Sequence, residues 1–312
     1  MSFHPLLDCW YLTGSTAAGK SAIGVELAER LGAEIVSMDS MALYRHMDIG
    51  TAKPSVEEQR RVPHHLIDII EPHEEYSLAQ YIEAAHRCAK DISGQGKKVL
   101  FVGGTPLYLK GLLRGIFQGP PADWTFRGQL QEEAGRHEPD WLHRRVREVD
   151  PAAAARLHPN DARRLIRALE IFHLTGRPIS EFQKQFEIGT PAERCRVFVL
   201  DWPREELHDR IDRRVAEMFK NGLVDEVRAL LTGQQPPGKT ARQAVGYRDV
   251  IEHLAGRCNL AETVELLRRH TRQLAKRQGT WFRSLCECRF VALSGHIDPL
   301  VVAEKIVQTV TC

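Results

Sequence analysis

Gly14-Ser15-Thr16-Ala17-Ala18-Gly19-Lys20-Ser21 reads G-x-x-x-x-G-K-S, and its neighbours decide what the pattern means. The apolar run Cys9-Trp10-Tyr11-Leu12 before it is long enough for a buried strand. After it, Ile23, Leu27 and Leu31 recur at helical spacing from Ser21 onward, and Gly32 ends the run. Strand, glycine-rich loop and helix in that order make a phosphate cradle. The glycines let backbone N–H groups wrap an anion, the helix N-terminus adds a partial positive charge, and Lys20 adds a full one. The Ser21 hydroxyl is placed to take a Mg²⁺ ion that bridges phosphate oxygens. The plain alternative, a glycine-rich turn with an incidental lysine, leaves the flanking strand and helix unexplained. The motif, common among ATP-binding proteins, predicts a bound di- or triphosphate without requiring a nucleotide.

Working outward, residues 33–37 predict a second strand, followed by Asp39-Ser40. Ligands of open α/β sheets sit beyond the carboxyl ends of the strands, so Asp39 is expected on the edge that carries the phosphate loop. Residues 41–65 read as irregular, with Gly50, Pro54 and Pro63 as punctuation, and 64–69 as a third strand. Ser77 caps a helix to about residue 92. Residues 98–102 form a core parallel strand that ends in Gly103-Gly104-Thr105, with Pro106 opening a helix. From 118 to 192 the β-branched runs vanish, and helical patterns follow at 127–136, 139–149, 151–157, 160–175 and 178–186. Residues 197–200 return to strand. Helical sequence then runs from 204 to a last strand at 289–293 and a closing helix at 297–310. The expected fold class is α/β: a P-loop NTPase-like parallel-sheet core (1–117 and 193–312) carrying an all-helical insertion domain (118–192).

Composition narrows the class. At 312 residues, 43% hydrophobic and 27% charged, the chain can bury a sizeable core. No apolar run approaches the roughly 18 residues of a membrane span, and no basic-then-apolar leader opens the chain, so a cytoplasmic protein is expected. Seven cysteines, scattered and odd in number, make no disulfide framework and read as small hydrophobes. Net charge is only +2, but Arg268, Arg269, Arg272, Lys276, Arg277 and Arg283 crowd one stretch without an acidic residue. Leu267, Leu274, Trp281 and Leu285 should form the core-facing side of that helix. His64-His65 reads as structural, since adjacent strand residues point to opposite faces.

A nucleotide-hydrolysing loop usually has a partner strand ending in Asp to hold Mg²⁺. Here the strand at 98–102 ends in glycines, and the available carboxylate is Asp39. That argues for a transferase over a motor or switch. A small kinase remains the alternative on these residues alone.

Taken together, several stretches resemble the tRNA dimethylallyltransferase (tRNA isopentenyltransferase) family, bacterial type, over nearly the whole chain. They are GSTAAGKS (14–21), SMDSMALYRHMDIGTAKP (37–54), PHHLIDI (63–69), VGGTPLYLKGLL (102–113), HPNDARRLIRALEIF (158–172), AVGYRD (244–249) and RQLAKRQGTWFR (272–283). Ser15 stands where the family usually has Pro, and Ala18 where it often has Ser. The resemblance implies transfer of a dimethylallyl group from its diphosphate to the exocyclic amine of the adenosine 3′ of the anticodon. It implies Mg²⁺, a monomer, and two substrates: dimethylallyl diphosphate and a tRNA anticodon stem-loop. By the same resemblance Asp39 is the general base, Thr105 holds the amine or a diphosphate oxygen, and Arg214 joins Thr16, Gly19, Lys20 and Ser21 on the diphosphate. The bland readings are a strand-end turn for Asp39, a helix cap for Thr105 and a solvated helix face for Arg214. The flipped adenosine and its flanking backbone are expected to meet Asp39, Ser40, Met41, Ala42, Thr105, Arg127, Arg163, Arg164, Leu165, Ile166, Arg167, Arg242, Gln243, Ala244, Val245, Gly246 and Tyr247, with Arg163 and Arg167 following phosphates from one helix face. A P-loop small-molecule kinase, or a prenyltransferase of free adenine nucleotides, is the rival reading.

Overall fold

Short apolar runs that each feed a helix build a parallel sheet here, because a crossover is the way to bring successive parallel strands together. The structure, a computed structural model, describes residues 4–117, 119–183 and 189–311. The first half of the sheet comes from β1 (Trp10–Gly14), α1 (Lys20–Leu31), β2 (Ala33–Ser37), α2 (Val56–Arg61), β3 (His64–His65), α3 (Leu78–Gly94), β4 (Lys98–Val102) and α4 (Pro106–Arg114). Five helices follow: α5 (Trp124–Ala134), α6 (Trp141–Val149), α7 (Pro151–Arg156), α8 (Ala162–Thr175) and α9 (Ile179–Phe182). The chain then returns through β5 (Arg196–Asp201), α10 (Arg204–Lys220), α11 (Leu223–Thr232), α12 (Lys239–Arg242), α13 (Tyr247–Leu254), α14 (Leu260–Arg283), β6 (Cys288–Ala292) and α15 (Pro299–Thr311). All pairs are parallel, in the order β3-β2-β4-β1-β5-β6.

The chain divides into two compact units, Pro5–Leu113 with Gly189–Cys312, and Met1–His4 with Arg114–Ile188. The helical unit thus starts at Arg114, earlier than 118, because Phe117 packs with its cluster of Leu130, Val146, Leu165 and Leu169. The helix expected at 127–136 starts at Trp124, where Asp123 caps it through Phe126 N at 2.9 Å. Of the pattern at 178–186, residues 184–186 lie outside the described residues.

In the α/β unit, Leu12, Leu100 and Phe198 meet Ile23 and Leu27 of α1 and Ile306 of α15 in one cluster. Each fully buried aliphatic side chain there contributes about 1.5–3 kcal/mol. On the opposite side of the sheet Tyr11 stacks on Phe101 at 5.0 Å, and Tyr81 of α3 on Tyr108 of α4 at 3.7 Å. Two local expectations fail. The third strand stops after His65, because Leu66 (φ 59) and Asp68 (φ 55) leave extended geometry. The irregular stretch before it contains α2, opened by a Ser55–Glu58 capping box. No described helix is long and apolar enough to cross a membrane.

Candidate active site

The loops leaving the C-terminal ends of β1, β2 and β4 floor one cavity of about 830 Å³, lined wholly by residues of the α/β unit. Their close approach depends on Gly103, where a Cβ would sit 2.1 Å from the Met38 carbonyl oxygen. Met38 N donates to Val102 O at 2.8 Å, and Thr105 N to Met38 O at 3.2 Å, which brings Asp39 and Thr105 together. The Thr105 hydroxyl accepts from Ser40 N at 3.0 Å. It therefore fastens the Asp39 turn, while the start of α4 uses the Thr105 carbonyl, which accepts from Leu109 N at 3.2 Å. Asp39 Oδ1 accepts from Met41 N at 2.9 Å, and Oδ2 has no hydrogen-bond partner among the described residues. A carboxylate tied by one oxygen and open at the other is oriented yet able to take a proton.

The phosphate loop is held from two sides: by Trp202 and Arg210, which lie in none of the stretches that carry the resemblance, and by α14, whose RQLAKRQGTWFR stretch carries it without marking a role for Gln278. Ala17 sits at φ 63, a left-handed conformation that costs a non-glycine residue roughly 1–2 kcal/mol. Arg210 Nε donates to its carbonyl at 2.8 Å, and Trp202 Nε1 donates to Ala18 O at 3.0 Å, with the Arg210 guanidinium 4.2 Å over the Trp202 ring. From the other side, Ser15 Oγ donates to Ala275 O at 3.1 Å, so the departure from proline gains a bond to α14. Gln278 of the same helix accepts from Thr16 N at 2.9 Å and donates to Gly104 O at 2.6 Å. One side chain thus joins the loops after β1 and β4.

Charge in the cavity is arranged for an anion. Lys20 Nζ donates to Gly14 O at 3.1 Å and Ser15 O at 2.9 Å. Burial pushes its ammonium down to about 8; the Arg214 charge adds to the shift and Asp39 opposes it. Arg214 donates to Thr16 Oγ1 and to Thr51 O, both at 3.3 Å. Its guanidinium is also held below its usual value by burial, with Asp39 opposing. Neither cation has a salt-bridge partner among the described residues. Lys53, by contrast, is saturated by Tyr44 O, Asp48 and Asp68 at 2.6, 2.6 and 2.5 Å.

Of the residues expected from the sequence, Thr16, Ala17, Gly19, Lys20, Ser21, Asp39, Ser40, Met41, Ala42, Thr105, Arg214, Gln243, Ala244, Val245 and Tyr247 line this cavity. Gly14, Ser15 and Ala18 support the loop from outside it, Arg242 is exposed and Gly246 is buried. The helical unit differs from expectation. Leu165 and Ile166 are buried in its core, so their side chains offer RNA nothing. Arg167, unlike Arg163, is engaged within the unit. It turns to Glu170 and to Pro120 O, and Arg127 binds Glu170 through two bonds of 2.8 Å. Arg163 is exposed, and Arg164 is exposed and paired with Asp161.

Along α14, Arg268 pairs with Glu265, Arg272 with Asp212 and Arg283 with Asp201, which leaves Arg269, Lys276 and Arg277 as its exposed cations without a salt-bridge partner among the described residues. Its buried side is Leu267, Thr271, Ala275 and Phe282; Trp281 is 37% exposed, because Phe282 takes the inward position. His65 bonds Glu34 at 2.6 Å and His64 bonds Val62 O at 2.7 Å, and no cluster of metal-ligating side chains occurs among the described residues. No disulfide joins the six described cysteines; Cys9 and Cys195 are buried but Cys286 is exposed, so the cysteines are not uniformly core residues.

Known proteins match this arrangement across its length. The family model described as IPP transferase matches residues 42–285, and one described as isopentenyl transferase matches 7–68. A tRNA dimethylallyltransferase of Rhodopirellula baltica is 48% identical, covering 92% of this chain and 89% of its own. The crystal structure of a full-length tRNA isopentenylpyrophosphate transferase from Bacillus halodurans superposes with a TM-score of 0.71 at 36% identity, covering 98% of this chain and 96% of that one. A eukaryotic dimethylallyltransferase acting on tRNA superposes with a TM-score of 0.77 at 26% identity, covering 91% and 73%. With a parallel sheet, a phosphate loop and matches of this extent, the chain belongs to the IPP transferase family, the tRNA dimethylallyltransferases.

Proposed function

We propose that the cavity transfers a dimethylallyl group from dimethylallyl diphosphate to the exocyclic N6 amine of the adenosine 3′ of the anticodon in tRNA. The products are N6-isopentenyladenosine and diphosphate. One observation carries the reading: the half-free carboxylate of Asp39 shares a cavity with Lys20 and Arg214, two cations without a carboxylate partner among the described residues. In the transfer, the N6 lone pair forms the bond to the allylic carbon as that carbon's bond to diphosphate oxygen breaks. The electron pair leaves on diphosphate. Lys20, Arg214 and the phosphate-loop N–H groups stabilise the charge that develops there, in a preorganised site. The proton released from N6 goes to Asp39 Oδ2, a general-base contribution of roughly 10²–10⁴-fold. Thr105, by fixing Ser40 N, keeps that carboxylate aimed.

Mg²⁺ fits the donors available. The ion takes one or two protein oxygens together with phosphate oxygens and keeps several waters. Ser21 supplies a hydroxyl at the phosphate loop, and the diphosphate oxygens and waters would complete the shell, which leaves Asp39 free to act as the base. Bound there, the ion would add positive charge against the diphosphate. The flipped adenosine would lie against Ser40, Met41, Ala42 and the stretch from Gln243 to Tyr247. Exposed Arg163 and Arg164 of the helical unit, and Lys276 and Arg277 of α14, would meet the RNA backbone. A cytoplasmic monomer accords with this reading.

The test is Asp39→Ala, assayed for transfer and for tRNA binding in parallel. Turnover should fall by roughly 10²–10⁴-fold while tRNA affinity stays within about twofold. Full turnover in the variant would remove Asp39 from the chemistry.

A further inference from the structure

Glu226 of α11 does not line the cavity, yet it commands a hub beside it. Its Oε2 accepts from Asp48 N at 2.9 Å and Ile49 N at 2.7 Å. Its Oε1 accepts from Gly50 N at 3.1 Å and from the Tyr247 hydroxyl at 2.6 Å. The Tyr247 ring lies so close to Gly50 that a Cβ there would fall 2.4 Å from a ring carbon. The loop it grips is a tight unit: Ala52 N donates to Ile49 O at 3.1 Å, Lys53 N to Asp48 O at 3.2 Å and Thr51 Oγ1 to Met47 O at 2.5 Å. A turn closed on itself moves as one body, so fixing three of its N–H groups fixes the rest. The residue after the gripped N–H groups is Thr51, whose carbonyl accepts from Arg214, and the other arm of Arg214 reaches Thr16 of the phosphate loop.

We propose that Glu226 is a positioning residue for the transfer. By holding the 48–50 turn against Tyr247 it fixes the Thr51 carbonyl, and through that carbonyl the Arg214 guanidinium over the phosphate loop. The inference rests on the phosphate-site reading above. The logic is geometric. A guanidinium with a neutral carbonyl on one arm keeps its charge for an anion but depends on that carbonyl for its aim. The carbonyl belongs to a loop and not to a helix or strand, so something outside the loop must hold it. A carboxylate is the acceptor suited to several N–H donors at once, because it has two oxygens and no proton of its own to misplace.

The experiment measures binding of inorganic diphosphate with Mg²⁺ by titration calorimetry to the wild-type chain, to Glu226→Gln, to Arg214→Ala and to the double variant. Gln keeps the shape but replaces one accepting oxygen with a donor, so two of the four bonds lose their acceptor. In the otherwise wild-type chain Glu226→Gln should weaken diphosphate by about tenfold, and in the Arg214→Ala background by less than about twofold, as expected of residues that act through one another. Tyr247→Phe, which removes one bond and keeps the ring, should cost about threefold with the same dependence on Arg214. Equal losses in both backgrounds, or no loss from Glu226→Gln, would overturn the proposal. Should that variant fail to fold by circular dichroism, the Tyr247→Phe pair decides by the same criterion. A wild-type chain that does not bind diphosphate would sink the phosphate-site reading itself, a separate outcome read in a separate arm.

Discussion

In the α/β unit Arg214 donates to a hydroxyl and a carbonyl, whereas in the helical unit Arg127 and Arg167 both close on Glu170, a carboxylate with no exposed surface. Burial alone would push the Glu170 carboxyl up, but the bonds from Arg127, Arg167 and Asp123 N hold it below its usual value. The same residue type therefore does opposite work in the two places. Paired with a buried carboxylate, arginine is part of the framework, and removing either partner is costly. Paired with neutral acceptors, it keeps its charge available to an incoming anion and adds little to folding. An arginine's partners, more than its position in a motif, tell the two uses apart.

Removing Glu170 breaks the framework case most severely. Glu170→Ala strands two half-buried guanidiniums and should cost about 3–5 kcal/mol, the range for breaking a buried ion pair. Hydrogen exchange should show it as lost protection in α5 and α8, with diphosphate affinity within about twofold of wild type. A weakened diphosphate site with an intact helical unit would contradict the comparison. Arg214→Ala should do the reverse. Diphosphate binding by calorimetry should weaken by about ten- to a hundredfold, as for hydrogen bonds to a charged group, with the melting temperature little changed. The smallest effect is a titration. With its ammonium pushed down to about 8, Lys20 is charged below that pH and loses its proton above it. Anion affinity should be full below pH 8 and fall as pH rises through 8, by at most about tenfold per pH unit. Binding at pH 8.5 should take up a proton, seen as a buffer-dependent heat, and Lys20→Arg should abolish that uptake because guanidinium stays charged.

Local chemistry was legible in the sequence, and long-range partnership was not. The phosphate loop, the strand at 98–102 and its glycine ending could be read because loop, strand and helix each impose their own residue pattern within a few positions. The place of Asp39 beside the phosphate loop also followed, since ligands of open α/β sheets sit beyond the carboxyl ends of the strands, but its tie to Thr105 depends on β2 and β4 being neighbours, which the sequence did not indicate. Ser55-x-x-Glu58 was a readable capping box that the prolines around it obscured. The early end of β3 was not readable: Leu66 is an unusual residue for positive φ, so its identity gives no sign of the turn. Gln278, Trp202 and Arg210 reach the phosphate loop from 184 to 262 residues away; Gln278 lies in a stretch the resemblance singled out, but nothing local says that it bonds this loop, and nothing marks Trp202 or Arg210 at all. The partner of Arg167 was hidden for the same reason. Helical spacing puts it beside Arg163, but Glu170, one turn further on, claims it.

The most direct test follows label from dimethylallyl diphosphate, with Mg²⁺ and the purified chain, into tRNA lacking the modification. AMP serves as the alternative acceptor and ATP as the alternative donor. The account predicts label in tRNA and none in AMP. Label in AMP alone would make this a free-nucleotide prenyltransferase, and phosphate transfer from ATP with no prenyl label anywhere would make the phosphate loop a kinase's and contradict the account.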